Sequence, residues 1–158
     1  MLMKKLIVYV SYHHNNTEKI ARVIANTLVA DIKNLEQIDT NNFKEYDLIG
    51  FGSGIYFFKH HKSLLELAKK LPESKNKKVF IFSTSGIKKT RILKIHKPLK
   101  KILVSKGFEI IGEFNCAGFD NFGLLKIIGG INKDRPNEED LKKAETFAEN
   151  LKNILHFK

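Results

Sequence analysis

The chain has 158 residues, a formal net charge of +11 at pH 7 and a single cysteine, Cys116. This length predicts one domain over residues 1–158, large enough to bury a core without metal ions or disulfide bonds. One cysteine excludes an intramolecular disulfide framework and favours a reducing, cytoplasmic location. We expect neither a signal peptide nor a membrane span, because every apolar run is too short.

The first strand, loop and helix form the most informative unit of the chain. Residues 5–10 are almost continuously apolar, which is typical of a central parallel strand. Apolar residues then recur at helical spacing from Ile20 to Leu28. The loop between them is rich in hydroxyl and amide groups, which can cap the helix, and the first backbone N–H groups of that helix can hold a phosphate. The candidate phosphate ligands are Ser11, His13, His14, Asn15, Asn16 and Thr17.

Apolar strands alternate with helical patterns along the rest of the chain, which indicates an α/β fold with a parallel sheet. The predicted strands are 32–38, 47–52, 78–83 and 109–116, and the predicted helices are 63–71, 98–106 and one that begins just after Pro136. The strand at 32–38 is weak and partly polar, so it suits a sheet edge. Pro98 interrupts an apolar pattern, so we expect a short turn near 90–96 and a helix that starts at Pro98.

Two further loops lie where a parallel sheet binds its ligands, at the carboxyl ends of its strands. Residues 52–58 follow the third strand; their glycines allow close approach of the backbone, and their aromatic residues can cover a flat ring. Residues 83–86 follow the fourth strand and offer small polar groups. The candidate ring contacts are Gly54, Ile55, Tyr56, Phe57, Ser83, Thr84, Ser85 and Gly86. The long loop 117–135 adds Phe119 and Asp120 as residues that can close over a ligand.

A phosphate loop, an aromatic wall and a polar edge together describe a site for flavin mononucleotide (FMN). With these residues the chain resembles the flavodoxin family, most closely its short members with a Ser-x-His-His-x-Asn-Thr loop. The resemblance covers essentially the whole chain. It implies a three-layer α/β/α sandwich with a five-stranded parallel sheet in the order 2-1-3-4-5, noncovalent FMN and electron transfer. It also implies that residues 11–17 hold the phosphate and that residues 54–57 and 83–86 contact the ring.

The resemblance leaves the type of activity open. One class is an electron carrier that docks to a redox partner protein, for which the basic charge of this chain would suit an acidic partner. Another is an oxidoreductase acting on a small substrate such as a quinone or a tetrapyrrole. A third is a cofactor-free binding module for anionic partners. Nucleic acid is not the expected partner, because the lysines are scattered rather than gathered in one stripe.

The histidines and the cysteine predict no metal site and no reactive thiol. His13-His14 and His60-His61 are adjacent pairs, whose side chains point in different directions, and no carboxylate or cysteine pattern completes a ligand set. Cys116 ends a predicted strand, and no neighbouring feature in the sequence would lower its pKa. We therefore expect Cys116 to be buried and inert.

Overall fold

The computed structural model describes residues 2–12, 14–86, 92–119 and 127–157. Its strands are β1 (Lys5–Val10), β2 (Asp31–Asn34), β3 (Leu48–Tyr56), β4 (Lys59–His60), β5 (Lys78–Ser85) and β6 (Glu109–Ala117). Its α-helices are α1 (Asn16–Leu28), α2 (Lys62–Lys70), α3 (Ile92–Ser105) and α4 (Glu138–His156). Two short 3₁₀ helices, Leu35–Gln37 and Thr40–Glu45, connect β2 to β3. No described helix has both the length and the apolar character of a membrane span.

Five strands pair in parallel in the order β2-β1-β3-β5-β6, and β4 pairs antiparallel to β3. This order confirms the predicted arrangement of the five parallel strands, with β2 at one edge. The additional strand β4 was not predicted. Strand β2 is shorter than expected, because the chain turns into a 3₁₀ helix at Leu35 and the Asn34 side chain caps that helix.

Helices cover both faces of the sheet, because alternate residues of each buried strand point to opposite sides. Leu6, Val8 and Val10 of β1 belong to one apolar core, beneath α2 and α3. Ile7 and Tyr9 belong to the other core, beneath α1 and α4. The result is the predicted three-layer α/β/α sandwich, with helices on each face of a central sheet.

Strand β3 continues through the segment that we predicted to be a loop, so the prediction of a loop beginning at Gly52 was wrong. A β-carbon on Gly52 would lie 2.1 Å from Cζ of Phe82, and one on Gly50 would lie 2.2 Å from Cζ of Phe80. These glycines make room for rings on the neighbouring strand β5 rather than for a turn. The turn comes later, at Phe57 and Phe58, and leads directly into β4.

Strand β5 and helix α3 also differ from the prediction. Strand β5 extends to Ser85 instead of ending at Ser83. Helix α3 runs through Pro98, so the expected break before this proline was wrong. Pro98 has no N–H to donate to the carbonyl of Lys94, and Lys94 is exposed. The buried residues Leu99 and Leu103 hold the helix against the sheet on both turns that follow.

Candidate functional site

The N-terminus of α1 lies beside the carboxyl ends of β1, β5 and β6. The N-cap residue Asn15 adopts a left-handed conformation and makes no capping hydrogen bond. The Oγ atom of Ser11 instead accepts the N–H of Glu18, at 3.4 Å. The expectation that Ser11 and the side chains of 15–17 would cap this helix is therefore confirmed for Ser11 and wrong for Asn15. The first-turn N–H groups have no intrahelical acceptor, so this helix end is suited to an anion.

Two buried side chains in the first turn of α1 connect this helix to the end of β5 and to the segment after β6. The Oγ1 atoms of Thr17 and Thr84 lie 2.9 Å apart. The Nδ2 group of Asn16 donates to the carbonyl of Phe119 at 2.8 Å. The Oδ1 atom of Asn16 is buried and has no hydrogen-bond partner among the residues that the structure describes. A buried acceptor without a donor is costly, so this atom is positioned for a donor that those residues do not supply.

The segment after β6 packs against the first loop and is fixed at its far end. The rings of Phe119 and His14 have their centroids 4.1 Å apart. The backbone N–H of Phe119 donates to the carbonyl of Arg135 at 2.9 Å, and the Arg135 guanidinium pairs with Asp140 at the start of α4. The N–H of Gly118 donates to the carbonyl of Ser85 at 3.1 Å. These contacts bring the ends of β5 and β6 and the first loop together.

Three aromatic rings line the other side of the site. The Tyr12 ring lies 4.7 Å from the His61 ring, and the Tyr56 ring lies 5.2 Å from it, edge-on. Tyr12 is 53% exposed. Sequence reasoning singled out Tyr56 but missed Tyr12, although an aromatic residue directly after Ser11 in a ligand loop was a usable signal. A flat ligand can contact these rings.

The turn between β3 and β4 consists of two exposed phenylalanines. Phe57 and Phe58 have φ angles of 48° and 64°, and their exposed fractions are 83% and 60%. Positive φ at both central residues is typical of a type I′ hairpin turn, which ordinarily contains asparagine and glycine. Bulky side chains here carry a conformational cost, so the exposed aromatic pair is a candidate contact surface.

A buried polar layer lies beneath the strand ends on the α3 side of the sheet. The Oγ atom of Ser83 lies 2.7 Å from Nε2 of His96 and accepts Nδ2 of Asn115 at 2.7 Å. Nδ1 of His96 lies 3.2 Å from a carboxylate oxygen of Glu113, which also pairs with Lys100. Neither Ser83 nor His96 is exposed to solvent. Sequence reasoning missed this group, because its members come from two strands and a helix.

A second histidine belongs to the same layer. Nδ1 of His60 lies 2.8 Å from Oγ of Ser53, and its ring lies 5.0 Å from the ring of His96. Nε2 of His60 is buried and has no hydrogen-bond partner within the described part of the chain. Burial lowers the pKa of His60 well below 6.5, and the neighbouring His96 lowers it further. Burial also lowers the pKa of His96, although Glu113 opposes that shift. Both imidazoles are therefore neutral at pH 7.

The other residues that the sequence singled out fall into three groups. Gly54 and Ile55 lie in β3 and are half-buried, and Gly86 lies in a bend directly after β5. His13 and Asp120 lie outside the described residues. Cys116 is buried, and burial together with the charge of Asp140 raises the pKa of its thiol to about 12. This thiol is protonated at pH 7, as expected for an inert cysteine.

A family model described as a flavodoxin domain matches residues 6–110. The chain belongs to the flavodoxin family. This flavodoxin is 53% identical over 149 residues to an uncharacterized protein of Methanocaldococcus jannaschii, and the match covers 94% of this chain and 98% of that protein.

Solved structures show the same fold. One is a short-chain flavodoxin associated with a non-canonical PDU bacterial microcompartment, with a TM-score of 0.72 and 13% identity; the match covers 97% of this chain and 99% of the other. Another is oxidised flavodoxin 2 from Bacillus cereus, with a TM-score of 0.68 and 22% identity over 92% and 94% of the two chains. At this level of identity the likeness establishes the fold alone.

Proposed function

We propose that this flavodoxin binds FMN noncovalently and transfers electrons through it. The observation that carries the proposal is the first turn of α1, whose N-cap side chain makes no capping hydrogen bond and whose buried Asn16 Oδ1 atom has no partner among the described residues. An open helix N-terminus suits the phosphate, and an acceptor without a donor suits a hydroxyl of the ribityl chain. The residues present therefore fit this cofactor.

The phosphate end of the proposed site is the segment from Ser11 to Thr17. The helix dipole and the first-turn N–H groups of α1 favour a dianion. Glu18 is the acidic residue of this turn, and it is paired with Arg22 at 2.6 Å, which offsets its repulsion of a phosphate. His13 and His14 are proposed as additional contacts to the phosphate.

The ring end of the proposed site lies between the β3–β4 hairpin and the ends of β5 and β6. Tyr56 and Tyr12 are the proposed stacking residues, with Phe57 next to them. Backbone groups of 54–55 and 84–86, together with Phe119 and Asp120, are proposed to border the remaining ring edges. Ser83 faces the buried polar layer, so we assign it a supporting role behind the ring rather than a direct contact.

FMN supplies one- and two-electron chemistry when bound, and the protein supplies position and electrostatics. The exposed Phe57 and Phe58 are followed by Lys59 and Lys62, which are also exposed. An apolar tip with basic neighbours supports an electron carrier that docks to an acidic redox partner in the cytoplasm.

The test is to purify the protein without added flavin, record its visible spectrum, and denature it to release any ligand. We expect flavin absorbance, and released FMN rather than riboflavin by chromatography. A colourless preparation that also fails to bind added FMN would overturn the proposal.

A further inference from the structure

We infer that His96 is a positioning residue for the proposed FMN site, holding the ends of β5 and β6 in one hydrogen-bonding arrangement through Ser83 and Asn115. The inference rests on the proposed function. Its basis is a continuous hydrogen-bond network that leads from the surface pair Lys100–Glu113 through buried polar side chains to Ser85, the last residue of β5.

The donor and acceptor of each hydrogen bond in this network follow from the chemistry of its side chains. The carboxylate of Glu113 only accepts, so Nδ1 of His96 carries the proton and donates to it. Nε2 of His96 is then an acceptor, and the Ser83 hydroxyl donates to it across 2.7 Å. The Oγ atom of Ser83 in turn accepts from Nδ2 of Asn115.

Asn115 extends the arrangement to the strand end. Its Nδ2 group lies 3.3 Å from Oγ of Ser85, and the carbonyl of Ser85 accepts the N–H of Gly118. The amide of Asn115 does not pass protons, so this network fixes the orientation of its side chains and does not conduct protons. The neutral form of His96 therefore determines which way the Ser83 hydroxyl and the Asn115 amide point beside the proposed ring.

A proton on His96 reverses this arrangement. Nε2 would become a donor to Ser83, whose own hydroxyl proton would then need a new acceptor. Asn115 can provide one only if its amide turns over, which changes what the end of β5 presents to a ligand. The charged or titratable groups around His96 are His60 from β4, Glu113 from β6 and Lys100 from α3. Burial and Lys100 oppose the charged imidazole of His96, and Glu113 favours it.

The experiment measures the Kd for FMN in wild type, Glu113→Gln and Lys100→Gln. The pH runs from about 5 to about 8, which is the range in which imidazoles titrate. The FMN phosphate titrates in the same range, but equally in all three proteins. We expect Glu113→Gln to move the midpoint of weakening to lower pH and Lys100→Gln to move it to higher pH. The control His156→Gln removes an exposed histidine at the end of α4 and should leave the profile unchanged.

A second measurement does not depend on the flavin. Nitrogen-15 NMR of the apoprotein should show His96 as the neutral Nδ1–H tautomer at pH 7.

A third measurement is FMN binding by Ser83→Ala. This variant should bind FMN about five- to tenfold more weakly, as expected for the loss of one buried hydrogen bond. Circular dichroism establishes that Ser83→Ala is folded. If wild type binds no FMN, the proposed function is wrong. If wild type binds FMN but all variants share one profile and affinity, the role of His96 alone is wrong.

Discussion

The side-chain oxygens of Thr17 and Thr84 lie 2.9 Å apart and join the first turn of α1 to the end of β5. This contact places the proposed phosphate end and the proposed ring end of the site on one rigid support, because α1 and the sheet are packed through a shared apolar core. The effect of a substitution at Thr17 should therefore be measured with two ligands, one that carries a phosphate and one that does not.

Thr17→Asp should weaken FMN binding strongly and riboflavin binding little, because it adds a carboxylate at the proposed phosphate position. Fluorescence titration with both flavins measures the two losses. Thr146→Asp adds the same charge on an exposed position of α4 and is the matched control. Equal losses for FMN and riboflavin would contradict the phosphate assignment.

Tyr56→Ala should weaken FMN binding by about 1 kcal/mol, roughly fivefold, because it removes a stacking ring. Tyr56 is half-buried near the strand end and lies outside both apolar cores, so the mutant should remain folded. Titration of Tyr56→Ala beside Phe57→Ala compares the two aromatic candidates. An unchanged affinity and visible spectrum in folded Tyr56→Ala would move the stacking contact to another residue.

Acid should destabilise the fold through His60 and His96. The pKa of both imidazoles is lower in the folded state than 6.5, so the unfolded chain binds more protons and stability falls as the pH decreases below about 6.5. Each histidine contributes a slope of up to about 1.4 kcal/mol per pH unit. Urea unfolding of wild type at several pH values measures this slope.

The variant His60→Asn keeps a donor near Ser53 but cannot gain a proton, so its stability should depend less steeply on pH. His156→Gln, which alters an exposed histidine, should retain the wild-type slope. Identical slopes in wild type and His60→Asn would show that the protonation of His60 does not limit stability in acid.

Gly52→Ala should destabilise the protein by about 1–3 kcal/mol, because the new methyl group would overlap the Phe82 ring. Gly54→Ala should cost less, since its β-carbon would lie 3.2 Å from the half-buried ring of Tyr56, which has room to shift. Thermal unfolding compares the two variants. The double variant Gly52→Ala, Phe82→Leu should recover part of the loss, and no recovery would mean that Phe82 is not the source of the strain.

The basic charge should make flavin reduction easier than in acidic flavodoxins. One lysine about 10 Å from the ring contributes roughly 1–2 kcal/mol at an effective dielectric near 20, on the order of 50 mV for one electron. Spectroelectrochemistry at low and high salt should show a potential that becomes more negative as salt rises. A very negative potential that is independent of salt would mean that the +11 charge plays no part in the redox function.

The sequence predicted the five parallel strands and the start of α4, because these depend on apolar runs and on the cap at Asn137. The strand order came from the resemblance to flavodoxins and not from local patterns. Sequence reasoning failed at the β3–β4 hairpin, since Phe57-Phe58 is not a typical type I′ turn sequence. It also failed to predict the contact between His60 and His96, which are 36 positions apart and meet only because α3 packs over β4 and β5. Local patterns carry no information about such contacts.

The most direct test of the proposed function is a titration of the apoprotein with FMN and with riboflavin at pH 7, followed by flavin fluorescence and by the protein's visible spectrum. We predict saturable binding of FMN with one flavin per chain, and clearly weaker binding of riboflavin, because the open N-terminus of α1 favours a dianionic phosphate. Failure to bind FMN, or equal affinity for the two flavins, would contradict this account of the site.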